Sequence, residues 1–126
     1  MKFEELEVKV LEWANAKNLI ENGKPYAQYA KFLEEGNEIL VAMNKFNALL
    51  DTTLDVDLKD KAAVAEYAAK DKAIHYELVD GLGDTLVTLI ILAAQYGLDL
   101  PKCLEYAYNE IKNRTGKTVG GTFIKD

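Results

Sequence analysis

Two prolines and eight glycines are all the strong punctuation in a chain of 126 residues. Apolar residues recur between them at spacings of three and four, the period of a helix with one buried face. Several of the breakers fall where helices begin or end. Asn22-Gly23-Lys24-Pro25 reads as a turn leading into a helix whose first turn holds the proline, and Gly97, Asp99 and Pro101 read as a stop, an N-cap and a second such proline. The chain is expected to be all-α, a bundle of four to five helices forming one domain over residues 1–126, a size that fits a single core.

The segments follow from the same periodicity. A first helix runs from Phe3 to about Leu19 with Phe3, Leu6, Val10, Trp13 and Ala14 on its apolar face. A second starts near Pro25 and runs to about Leu50, with Tyr29, Leu33, Leu40 and Met43 as its stripe and Phe32, Ile39 and Phe46 beside it; Gln28, Lys31, Glu34, Glu35 and Glu38 occupy the rest. Residues 51–60, rich in Asp and Thr, read as a loop. Helix resumes near Lys61, and the sequence leaves open whether it breaks near Lys70-Asp71 before reaching Tyr96. Residues 86–94 are apolar nearly all round and should be buried on several sides, in part by another subunit. The last helix is expected to reach about Thr115 with Cys103, Leu104, Ala107, Tyr108 and Ile111 inward. The tail at 117–126 reads as a flexible segment, a small hairpin or an intersubunit arm.

Charge and composition narrow the function. The formal net charge is −6, against the dense positive patch that a nucleic-acid backbone requires. A small phosphorylated ligand held through metal ions stays compatible. The longest apolar run, residues 86–94, is far short of the roughly 20 needed to span a bilayer, so no membrane partner is expected. The N-terminus lacks the pattern of an export signal. With one cysteine, Cys103, no intrachain disulfide can form, and a reducing, cytoplasmic setting is expected. Cys103 reads as packing and His75, the only histidine, as a surface residue, which leaves neither a serine triad nor a histidine metal cluster.

Carboxylates on two separate helices are the most informative chemistry. Glu35 and Glu38 share a face of the second helix, with Glu34 four residues before Glu38; on the third, Glu77, Asp80 and Asp84 share another. If the helices pack antiparallel, these groups converge and repel unless a divalent cation neutralises them. Oxygen donors without histidine point to Mg²⁺, with Mn²⁺ as the other choice. A solvated acidic face explains such pairs more often. The glycines among the carboxylates, Gly36, Gly81 and Gly83, weigh the other way, because each costs roughly 1 kcal/mol inside a helix and suggests close approach or room for a ligand.

Three blocks in order, residues 28–39 (QYAKFLEEGNEI), 80–93 (DGLGDTLVTLIILA) and 103–117 (CLEYAYNEIKNRTGK), together with Trp13, resemble the MazG-like members of the all-α nucleoside triphosphate pyrophosphohydrolases. The likeness covers most of the chain except residues 47–72. It implies a Mg²⁺-dependent hydrolase that cleaves an NTP or dNTP to monophosphate and pyrophosphate, assembled as a homodimer or homotetramer. The family's E-E-x-x-E block falls on Glu34, Glu35 and Glu38. Its E-x-x-D block falls on Asp84, with Gly81 where the glutamate would stand, so Asp80 is the natural substitute and Glu77 a further contributor. The implied metal ligands are Glu35, Glu38, Asp80 and Asp84, with Glu77 behind them, and Glu34 is the candidate base, Glu38 being the alternative. Lys31, Lys112, Arg114 and Lys117 are the cations available to phosphate, Asn109 resembles a polar contact of the family, and Gln28 and Trp13 are candidates for the base or sugar pocket. The other reading is a non-catalytic helical oligomer whose acidic face binds a cation or a partner.

Overall fold

The computed structural model describes residues 1–126 as four helices and a terminal hairpin: α1 (Phe3–Ala16), α2 (Pro25–Asp51), a single 3-10 turn (Thr53–Asp55), α3 (Lys61–Gln95), α4 (Leu100–Ile111), β1 (Gly116–Val119) and β2 (Thr122–Lys125). No helix is long and apolar enough to cross a membrane. The starts of α2 and α4 carry the expected signals, and Asp60, not foreseen as a cap, does the same for α3. Pro25 sits in the first turn of α2; Asp60 accepts from the amides of Ala62 and Ala63 at 3.0 and 3.2 Å to open α3; Asp99 accepts from Lys102 N at 3.1 Å to open α4. No break interrupts α3 near Lys70-Asp71.

Helices α2 and α3 form an antiparallel hairpin, joined by residues 52–60. Gln28 Nε2, near the start of α2, donates to the Thr88 carbonyl at 3.2 Å, and at the far end the hydroxyls of Thr53 and Tyr67 lie 2.8 Å apart. The least exposed positions of α2 are Phe32, Glu35, Ile39, Ala42, Phe46 and Leu49, alternating by three and four as a seam against one partner helix requires. Ile74, Gly81 and Thr88 answer them from α3 at intervals of seven. Helix α1 lies against α3 with Ala14 wholly buried, and Gln95 Nε2 ties the following loop by donating to the Leu19 carbonyl at 2.9 Å.

Several expectations need correction. The expected stripe of α2, Tyr29, Leu33, Leu40 and Met43, is about half exposed, because the neighbouring stripe faces α3 and takes Glu35 into the seam. Helix α1 ends at Ala16 rather than Leu19: Asn18 adopts φ 58°, and Leu19 N returns to the Ala14 carbonyl at 2.9 Å, closing the helix in a left-handed turn. Helix α4 stops at Ile111, and Cys103, Leu104, Ala107, Tyr108 and Ile111 are exposed, since α4 packs only sparsely, against α3. The tail is the hairpin, with Val119 paired to Thr122 across Gly120 and Gly121, whose φ of 59° and 78° suit the tight turn that matches strand twist.

The two long helices approach closely at Gly81. A Cβ there would lie 3.0 Å from Ile39 Cγ1, whereas one at Gly36 or Gly83 would meet nothing within 4 Å. Gly36→Ala and Gly83→Ala should each stabilise the chain by about 0.5–1 kcal/mol in urea denaturation. Gly81→Ala should give no such gain, because its Cβ would press on Ile39 Cγ1, and only in an Ile39→Ala background, where that atom is gone, should the substitution cease to cost stability.

Candidate carboxylate site between the long helices

The α2–α3 seam brings the predicted carboxylates into one neighbourhood. Glu35 is the decisive member. Its side chain is 10 % exposed, Lys31 Nζ approaches Oε1 at 3.4 Å, and Oε2 is buried with no hydrogen-bond partner. An unpaired carboxylate oxygen away from water is costly, and either a proton on a neighbour or a cation relieves it. Glu38, one turn on, is such a neighbour: hydrogen bonding with Glu35, then repulsion from it, raises the Glu38 carboxyl above the ordinary carboxylate range. Asp84 is raised as well, by burial first and then by the charges of Asp80 and Glu35, with Lys31 opposing. Glu34 is 59 % exposed and holds Lys31 Nζ at 3.4 Å. That contact, with Glu35 beside it, raises the Lys31 ammonium.

Two cavities flank these groups. One of about 250 Å³ is lined by Glu38, Val41, Lys45, Glu77, Asp80 and Gly81. The other, about 410 Å³ and mostly apolar, lies between α1 and α3, where Phe3, Leu6 and Val10 face Val87 and Ile90, with Asp80, Asp84 and Glu7 also in its wall. Glu7 was not foreseen as a site residue; burial, then Asp99 and Glu4, raises its carboxyl. The signal in the sequence is its place among Phe3, Leu6 and Val10, at the helical spacing of the apolar face of α1.

The remaining predicted residues stand elsewhere or are otherwise engaged. Glu77 accepts from Lys45 Nζ at both oxygens, 3.1 and 3.2 Å. Gln28 ties α2 to α3, Trp13 is half exposed, and neither lines a cavity beside the carboxylates. Asn109, Lys112, Arg114 and Lys117 are exposed on and after α4 and pair with none of the acidic groups. His75 packs edge-on against Phe46, ring centroids 5.6 Å apart, with Nδ1 2.9 Å from the Asp71 carbonyl oxygen.

The acidic groups stand as like-charged neighbours rather than as a closed ligand set, since no three Asp, Glu, His or Cys side chains converge on one point. The donor chemistry fits a hard divalent ion nevertheless: the donors are all carboxylate oxygens, one of them buried without a partner, and two neighbouring groups are held above their ordinary range. Compared with known proteins, the chain matches no family model, no curated protein and no solved structure.

Glu38 and Asp84 keep their protons to higher pH in the folded chain than in the unfolded one. The folded state then binds more protons than the unfolded, and stability should fall as pH rises through and above the ordinary carboxylate range, about 4 to 5. Urea melts of the metal-free chain across that interval measure the slope. Glu38→Gln should flatten it, and an unchanged slope would show that Glu38 and Glu35 do not repel.

Proposed function

We propose that the chain is a Mg²⁺-dependent nucleoside triphosphate pyrophosphohydrolase, Mn²⁺ being the alternative ion, which converts an NTP or dNTP to monophosphate and pyrophosphate. The observation that carries this reading is Glu35, a nine-tenths-buried carboxylate with an unpartnered oxygen among Glu38, Asp80 and Asp84. The sequence resemblance to MazG-like pyrophosphohydrolases supplies the reaction class.

Glu35, Glu38, Asp80 and Asp84 are the residues that would hold the ion. When bound, a divalent ion supplies charge neutralisation at phosphate oxygens and an acidified water. Glu38 is better placed than Glu34 for proton acceptance: it borders a cavity, whereas the Glu34 carboxylate is turned to Lys31 in solvent. Lys31 lies at the edge of the cluster, able to exchange a carboxylate contact for a phosphate oxygen. The apolar cleft walled by α1 and α3 has room for a nucleobase, and Asp80 and Asp84 in its wall join it to the acidic groups.

Assembly belongs to the same proposal. The chain exposes 9796 Å², where a compact monomer of 14.1 kDa would expose about 6,700 Å². Only nine of 126 residues are buried. Leu33, Leu40 and Met43 on α2 and Leu104, Tyr108 and Ile111 on α4 are among the exposed apolar groups. A homodimer or homotetramer would cover such faces. They also favour the second reading, a helical oligomer without catalysis.

Pyrophosphate release from a panel of NTPs and dNTPs, with Mg²⁺ and with EDTA, separates the two. Metal-dependent release with a preferred base is expected from the enzyme; no release from folded, assembled protein leaves the scaffold. Glu38→Gln should reduce turnover by at least 100-fold with the fold intact, on the order of the effect of removing a catalytic acid or base. Asp80→Asn should be nearly as damaging. Sedimentation at micromolar concentration should show a dimer or tetramer, and a monomer would remove the assembly proposal.

A further inference from the structure

The cavity of about 250 Å³ between α2 and α3 has one cationic group in its wall, Lys45. Its ammonium crosses from α2 to α3 and donates to both carboxylate oxygens of Glu77 at 3.1 and 3.2 Å. An ammonium carries three N–H donors, so a pair of bonds to Glu77 fixes its position and leaves one donor uncommitted. The pair stays accessible, with side chains 52 % and 44 % exposed, and Glu38 and Asp80 line the same cavity. Gly81 also lines this cavity.

Position along α2 gives the ammonium its meaning. Lys31, Glu38 and Lys45 are spaced by seven residues, two helical turns or about 10 Å each way, so the acidic groups are bracketed by a cation at either end. Lys31 is held by Glu34 and Glu35, and Lys45 by a carboxylate on the opposite helix. An extended polyanion lying over the carboxylates through divalent ions would meet an ammonium beyond them.

We propose that Lys45 binds the pyrophosphate portion of the substrate and that Glu77 positions its ammonium for that contact. This rests on the pyrophosphohydrolase reading and assigns the end of the site at which the pyrophosphate product sits. Glu77 then acts through Lys45 rather than as a metal ligand.

The test is equilibrium binding of inorganic pyrophosphate with Mg²⁺ to the full chain, beside Mn²⁺ binding followed by electron paramagnetic resonance and binding of nucleoside monophosphates. Lys45→Gln should weaken pyrophosphate binding at least tenfold, with Mn²⁺ and monophosphate binding within twofold of the parent. Lys45→Arg should restore most of the loss, and Glu77→Gln should fall between. If Lys45→Gln binds pyrophosphate like the parent, or loses Mn²⁺ and pyrophosphate together with its melting temperature, Lys45 is an interhelix tie and the proposal is overturned. If the parent chain binds neither Mn²⁺ nor pyrophosphate, the pyrophosphohydrolase reading falls and takes this one with it.

Discussion

Everything at the carboxylate site depends on how closely α2 and α3 approach each other, and that distance is set where Gly81 meets Ile39. Side-chain volume at 81 would press the helices apart, because a Cβ there would already lie closer to Ile39 Cγ1 than ordinary van der Waals contact. With the backbones close, Glu35 is drawn into the seam, where water cannot serve its second oxygen. The same approach lets Lys45 reach Glu77 across the interface. A glutamate at 81, which the resemblance would expect, would have to displace Ile39; close packing and an acidic side chain compete for one position, and in this chain packing has it.

The electrostatics follow from that geometry. Two carboxylates within reach on adjacent turns cannot both be charged cheaply in a partly dry seam, so Glu38 holds its proton longer and Asp84, half-buried near Asp80 and Glu35, does likewise. Lys31 offsets part of the charge from the outside, at the edge where Glu34 is solvated. Repulsion among these carboxylates is thus held in place by the packing of the two helices.

Helix starts were legible in the sequence because they rest on local chemistry: Pro25 and Asp99 with Pro101 mark their positions without reference to anything distant. The buried face of α2 was not, because two apolar stripes lie side by side and periodicity cannot say which one meets α3. The end of α1 turned on a single left-handed Asn18, a conformation that composition does not announce. That Glu35 and Glu38 share one face of α2, and Asp80 and Asp84 one face of α3, could be read from helical spacing; their proximity needed the antiparallel packing of the two helices. Lys45 could not, since its partner Glu77 is 32 residues away; the seven-residue rhythm through Lys31 and Glu38 was the one hint. The α1 wall of the apolar cleft was read as core, which is what its spacing resembles.

The hairpin of α2 and α3 also dictates an order of events as the chain folds. Its two arms are neighbours in sequence, linked by residues 52–60, so their contacts close a short loop and form early, whereas α1 and α4 have little to dock on until α3 exists. Docking of α1 and α4 leaves the other apolar stripe of that hairpin, Tyr29, Leu33, Leu40 and Met43, about half exposed in the finished chain. Exposed apolar surface of that kind is what makes association of chains depend on their concentration.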